Sequence, residues 1–323
     1  AILPLLGLGG MQLYKAETPG PMKDTKFTPR ISETARGLWG VYALFSVACM
    51  LAYRWAGMDW ADAFMHMCTT MGLGGFSPYD ASIGHFDSAR VEWVSVVFMT
   101  MAGISFLRYF VVLRSLSLRP ITGDREIRTC LAVLAVSVAV VMVLLLVHGV
   151  TSEPLEALRA SAFHVVSLAT TTGYASGDYA QWPVFIPVLL MFLGCFASCA
   201  GSTGGGIKMV RMVLLVKQAR RELVRIIHPR VVNPVTLGGN VVPPQVMNAV
   251  LGYMLIYGAA TMGLTMLLLL TGLDIVTAFS AVVATVNNIG PGLGLVGPAS
   301  NYSVLNDFQI VVLSFAMLLG RLE

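Results

Sequence analysis

Three short segments rich in threonine, asparagine and glycine carry the clearest chemistry in this chain: TTMGLGGF at 69–76, TTTGY at 170–174 and TVNNIGPG at 285–292. What they offer is backbone. Carbonyl oxygens set around an axis replace the hydration shell of a small monovalent cation, and glycines permit the angles that aim successive carbonyls the same way. No Asp or Glu lies in any of the three, which argues against a divalent cation, whose sites draw on carboxylates. Any one of them alone would read as an ordinary extracellular turn. Three in register do not.

Such segments need elements that hold them at depth in a membrane, and the composition supplies them. The chain is 56% hydrophobic and 12% charged, with a mean hydropathy of +0.75, so it is an integral membrane protein. Apolar stretches at 38–53, 91–113, 129–150, 185–199 and 246–271 are read as spans of a hydrocarbon core about 30 Å thick, and another begins at Asp307. Between them lie shorter apolar segments that start near Asp59 and Asp62, near Glu153, Pro154 and Glu156, and near Asp274. They are too short to span and are expected as re-entrant half-helices, with carboxylates at their positive ends and their negative ends turned inward. Non-helical backbone at that depth must be buried or line a watery cavity. Each unit therefore reads helix, half-helix, Gly-rich turn, helix, repeated in the same orientation. Ala63 and Phe64 precede Gly74 by the spacing with which Ala162 and Phe163 precede Gly173. Ala278 and Phe279 precede Gly290 with one residue more, so Gly74, Gly173 and Gly290 are aligned.

Charge gives the sidedness. Of the 21 Lys and Arg, 17 fall within 15–36, 108–128 and 208–230, which the positive-inside rule makes cytoplasmic. The connections at 54–92, 148–184 and 272–307 hold ten of the 17 acids and only three arginines, and belong outside. The net +4 is thus a topological dipole rather than a nucleic-acid footprint. The basic stretch at 217–230 suits anionic lipid, topology or a partner surface. All five cysteines lie in apolar segments and read as small buried residues. Cys195 and Cys199 share a helix face without further ligands, and His66 and His164 on the half-helices read as hydrogen-bonded packing residues, so no metal centre is expected apart from the ion at the turns. Neither H-E-x-x-H nor G-x-S-x-G occurs, which leaves no constellation for an enzyme. The run at 1–10 lacks a basic n-region and is read as the tail of an earlier helix; with the last helix stopping at Glu323, the chain reads as part of a longer protein.

A second site is legible in the apolar-to-basic stretch from Phe185 to Ile227. As one helix it would run ~65 Å, about twice the hydrocarbon thickness, so it must break. The break is expected at Ala200, Gly201, Ser202, Thr203, Gly204, Gly205 and Gly206, beneath the turns. It is not a phosphate-binding loop, because Gly206 is followed by Ile207, Lys208 and Met209 rather than Lys-Ser or Lys-Thr. Arg321, about 21 Å down the last helix from Asp307, is either a snorkelling arginine at the inner interface or a cation facing a cavity.

With TPGPMKDTKFTPRI at 18–31, GGFSPYDASIG at 74–84, TTTGYASGDY at 170–179, CAGSTGGGIKMVR at 199–211 and NNIGPGLG at 287–294, the whole chain resembles the Trk/Ktr/HKT superfamily of potassium transporters, in its bacterial TrkH-type branch. The resemblance implies an all-α polytopic protein of parallel helix–pore-helix–helix repeats around a potassium-channel-like pore. It implies residence in the bacterial cytoplasmic membrane, a homodimer, and a TrkA-like cytosolic subunit through which adenine nucleotide or NAD acts. Residues 1–37 would hold the end of the first repeat and a cytoplasmic linker, 38–128 the second repeat, 129–240 the third with its broken helix, and 241–323 the fourth, truncated. Potassium would be lined by Gly72, Leu73, Gly74 and Gly75, by Thr171, Thr172, Gly173 and Tyr174, and by Asn288, Ile289, Gly290 and Pro291. The first repeat's strand would lie outside this sequence, so these three repeats alone should not conduct. Strands this unlike one another imply a filter that prefers potassium and rubidium and excludes sodium imperfectly. By the same resemblance residues 200–206 would form a gate, and Arg321 would contact it and raise the barrier to cations. Proton or sodium symport stays open, and a secondary transporter of another small solute is the alternative.

Overall fold

The computed structural model describes residues 31–238 and 240–321, so the segment read as the tail of an earlier helix, and nearly all of the 18–31 motif, lie outside the described residues. The described chain is overwhelmingly helical. Long helices α1 (Ile31–Ala56), α6 (Arg125–Val147) and α10 (Pro244–Leu269) are each followed by a short helix, α2 (Trp60–Met71), α7 (Pro154–Ala169) and α11 (Ile275–Val286). Residues within these three long helices are long and apolar enough to cross a membrane. Each short helix packs against the long one before it. All three start where the acids indicate, with Asp59, Glu153 and Asp274 as N-cap residues. Helix α7 is the central element, buried at every position from Ser161 to Ala169.

Of the three short helices only α11 has its cap closed by a side-chain bond, from Thr277 N–H to Asp274 at 2.9 Å. Hydrogen bonds from Thr277 hold its carboxyl below the ordinary value of 3.8. The capping contribution is therefore complete above that value and is lost as pH falls through the depressed pKa. Asp274→Ala should cost about 1 kcal/mol, read as a lower midpoint in thermal unfolding at neutral pH; an unchanged midpoint would remove the cap from the account.

The outgoing helices depart from the expected spans. The stretch at 91–113 is not one helix: α3 (Ala89–Ala102) and α4 (Phe106–Ser115) meet at 86°. After the short α5 (Arg119–Thr122) and the pair α6 and α7, the stretch at 185–199 also stops early, since α8 (Phe185–Gly194) ends before the expected break and α9 (Met209–Ile227) resumes after it. One exchange explains both. In a continuing helix the Cys195 carbonyl would accept from Cys199. Instead it accepts from Ile207 N–H at 2.7 Å, while Cys199 N–H donates to the Gly103 carbonyl at 3.0 Å and Phe106 N–H to the Gly201 carbonyl at 3.1 Å. Two interrupted helices satisfy each other's freed backbone groups, the condition for breaking a helix inside a membrane. A small antiparallel pair, β1 (Thr236–Leu237) with β2 (Asn240–Val241), interrupts the helical pattern before α10. The last helix, α12 (Asp307–Arg321), packs on α11.

Candidate functional site

The three Gly-rich turns share one backbone course. Helices α2, α7 and α11 end on Gly72, Thr170 and Asn287. The next residue is left-handed in each case, Leu73 (φ 49°), Thr171 (φ 63°) and Asn288 (φ 53°), and so is the glycine two residues further on, Gly75 (φ 64°), Gly173 (φ 83°) and Gly290 (φ 108°). Left-handed backbone is costly for a residue with a Cβ, so its recurrence at three non-glycine positions marks an imposed geometry. This course corrects the sequence alignment by one residue: the partner of Gly173 and Gly290 is Gly75, not Gly74. The adjacent pair Gly74 and Gly75 had left the choice open, whereas His66 and His164 mark the register. Both sit at the same distance before the glycine, and each ring Nδ1 bonds the carbonyl four residues earlier, on Asp62 at 2.8 Å and on Ala160 at 2.9 Å.

The strands lean on one another in chain order. A methyl group on Gly75 would lie 1.8 Å from the Thr172 carbonyl oxygen, and one on Gly173 would lie 1.9 Å from the Ile289 carbonyl oxygen. A methyl on Gly290 meets nothing within 4 Å among the described residues. Also among these, the carbonyls of Leu73, Gly74, Thr171, Thr172, Asn288 and Ile289 accept no hydrogen bond. They are available to a cation. The Gly290 carbonyl is less so, because Tyr302 Oη donates to it at 2.7 Å, and the Tyr174 carbonyl accepts from Ser167 Oγ at 2.7 Å. Pro291 flanks the fourth strand, its Cδ 2.9 Å from the methyl position on Gly173.

Behind the turns lies a buried polar brace. Tyr174 Oη bonds Thr69 Oγ1 at 2.5 Å, Thr70 Oγ1 at 3.1 Å and the His66 carbonyl at 3.2 Å, tying the third strand to α2. Tyr53 extends it through Thr70 at 2.7 Å and Ser95 at 2.9 Å. On the other side Asn287 is held by Tyr257 of α10. Tyr53 and Tyr257 escaped the sequence reading because an isolated tyrosine in an apolar helix looks like filler.

The interrupted segment at 195–208 lies across the inner ends of all three short helices. Thr203 Oγ1 donates to the Met71 carbonyl at 2.9 Å. Methyl groups on Gly204 and Gly205 would stand 2.8 Å from the Thr170 carbonyl and 2.3 Å from the Asn287 carbonyl. Three consecutive residues thus cover the C-terminal end of one short helix each. Gly205 N–H donates to Thr171 Oγ1 at 2.7 Å, and Ser198 Oγ to the Gly205 carbonyl at 2.9 Å. Ala200, Gly201 and Gly206 form the flanks, with Gly201 (φ 77°) and Gly206 (φ 78°) making the reversals, and the Ser202 hydroxyl is buried without a partner among the described residues.

Two charged residues that sequence reasoning passed over hold this segment. Lys208 is buried, and its ammonium donates to the Gly204 carbonyl. Glu126, in the first turn of α6, accepts at Oε1 from Ala200 N–H at 2.7 Å and from Val210 N–H at 3.2 Å, the two shoulders of the interruption. Arg321 is not joined to this set. It is exposed and makes no hydrogen bond or ion pair among the described residues. Its neighbour Gly320 is pressed on the inner end of α11, where a methyl would lie 1.8 Å from the Val286 carbonyl oxygen.

A family model described as a cation transport protein, TrkH, matches residues 1–323. The chain belongs to the TrkH family. It is 44% identical over its full length to the Trk system potassium uptake protein TrkH of Escherichia coli (strain K12), of which it covers 66%. It is also 44% identical to the corresponding protein of Vibrio parahaemolyticus, covering 67%. The crystal structure of the potassium transporter TrkH from Vibrio parahaemolyticus superposes with a TM-score of 0.87 at 39% identity, over 99% of this chain and 65% of that one. The chain thus spans just under two thirds of the length of its first relatives.

Proposed function

We propose that this chain forms most of a gated pore that passes potassium across the bacterial cytoplasmic membrane. The observation that carries the reading is the repeated left-handed course at Leu73 and Gly75, Thr171 and Gly173, and Asn288 and Gly290, with unbonded carbonyls between them. Three short helices converge with their C-terminal ends on one place, which adds partial negative charge favouring a monovalent cation. The same convergence means parallel repeats, whereas secondary transporters commonly set repeats in inverted pairs. The segments 38–128, 129–240 and 241–323 are three such repeats, and the open side of Gly290 is where the remaining wall of the whole protein closes the filter. The ion-lining set keeps the positions expected from the sequence, with the second strand read in the register of Gly75. The protein works as a homodimer with a TrkA-like cytosolic subunit that supplies the response to adenine nucleotide or NAD.

The test is flux in proteoliposomes holding the full-length protein, comparing potassium, rubidium, sodium and a large organic cation. Potassium and rubidium should pass, sodium less well and the organic cation not at all. Equal passage of every cation, or transport of none with the gate relieved, would end the reading.

In this reading residues 200–206 close the pore from inside, and Arg321 places a positive charge just below the inner end of α11. Arg321→Ala should raise potassium flux about tenfold if the guanidinium adds roughly 1.4 kcal/mol to a cation's barrier, within the range for a charge at moderate dielectric. Unchanged or lower flux at equal protein would remove Arg321 from the barrier.

A further inference from the structure

The face where α6 meets α9 holds a groove of about 610 Å³ that the translocation site does not use. At its cytoplasmic end stand Arg125, Arg128 and Lys217; below them it is walled by Val133, Val136 and Val213 and reaches Ser137. We infer that this groove seats one anionic phospholipid of the cytoplasmic leaflet, its phosphate between the arginines and Lys217 and one acyl chain lying along α6.

Charge complementarity carries the argument first. Arg125 and Arg128 are exposed and make no ion pair among the described residues. The two acids in the same turn are committed elsewhere. Asp124 caps α6 through Glu126 N–H at 2.8 Å and pairs with Arg108, and Glu126 serves Ala200 and Val210. Lys217 is placed by its bond to the Thr236 carbonyl, which leaves further protons on its ammonium. Length is the second argument. From Arg125 to Ser137 along α6 is ~18 Å, close to half of a hydrocarbon core about 30 Å thick. A phosphate held at the basic end therefore puts its acyl chain over the apolar wall at matching depth. A free anion would use the basic end and leave that wall uncovered; an acidic protein segment would not follow it into the hydrocarbon region.

The experiment is native mass spectrometry of the full-length protein released from detergent with phosphatidylglycerol or phosphatidylcholine. Phosphatidylglycerol adducts should persist on the unmodified protein and fall roughly 10–30-fold in Arg125→Gln/Arg128→Gln, given the contribution of each basic residue near an anionic headgroup. Val133→Phe, which fills the channel and keeps every charge, should also reduce them. Equal retention of the two lipids, displacement of phosphatidylglycerol by millimolar inorganic phosphate, or adducts insensitive to the double substitution would overturn the proposal. So would a double substitution that spares the adducts and instead weakens capture of the cytosolic subunit, since that would make the face a protein-docking surface.

Discussion

Gly173→Ala should abolish selective potassium flux while leaving the protein folded. The added methyl would stand 1.9 Å from the Ile289 carbonyl oxygen and 2.9 Å from Pro291 Cδ, on backbone at φ 83°. The first neighbour is backbone, so no side-chain rotation relieves the contact, and the third and fourth strands must part. Strain of about 1–3 kcal/mol at such a position corresponds to a ~10–100-fold fall in conduction, with loss of discrimination because the carbonyls change spacing. Gly75→Ala should behave alike, since its methyl meets the Thr172 carbonyl at 1.8 Å. Gly290→Ala has the φ penalty without the collision and should be the mildest of the three. Rubidium and sodium uptake at matched protein would decide it. A Gly173→Ala protein that still prefers rubidium would show that these carbonyls do not select the ion.

The second large effect is expected at Glu126. Its carboxylate joins the two shoulders of the interrupted helix, and alanine would leave the N–H groups of Ala200 and Val210 without an acceptor. Hydrogen bonds to a charged group contribute about 1.5–3 kcal/mol each. Releasing the pair, about 3–6 kcal/mol together, should move the proposed gate toward open by ~10²–10⁴-fold and raise flux in the absence of any activating partner. Glu126→Gln keeps an acceptor oxygen and should stay near the unmodified protein. A Glu126→Ala protein that is monodisperse, yet no more conductive than the parent, would show that the segment is held in place by its contacts with Met71, Thr170 and Asn287 instead.

Much of this arrangement is legible in the amino-acid order because membrane physics leaves few alternatives. Short apolar segments opening on Asp59, Glu153 and Asp274 have to be re-entrant, and turns of threonine, asparagine and glycine at their ends have to present backbone. What the order conceals is long-range exchange. The bend between α3 and α4 passes through Gly103, Ile104 and Ser105 inside an apolar run that hydropathy reads as continuous. It becomes necessary only once Cys199 N–H and the Gly201 carbonyl are known to need partners. Glu126 looks like an acid placed for the dipole of its own helix, and its partner Ala200 lies 74 residues away. The second strand offered two adjacent glycines, and only the backbone angles choose between them.

The order in which the strands lean on each other bears on how the protein is made. Gly75 rests on a carbonyl from the third repeat and Gly173 on one from the fourth, so each strand is backed by a stretch of chain that leaves the ribosome later. Helices can enter the bilayer one after another during synthesis, but the proposed ion-lining wall cannot set until its last segment has been inserted. A nascent chain halted before residue 285 should therefore carry its spans in place and still expose position 172, tested as Thr172→Cys, to a thiol reagent that the finished protein, where Thr172 is buried, excludes.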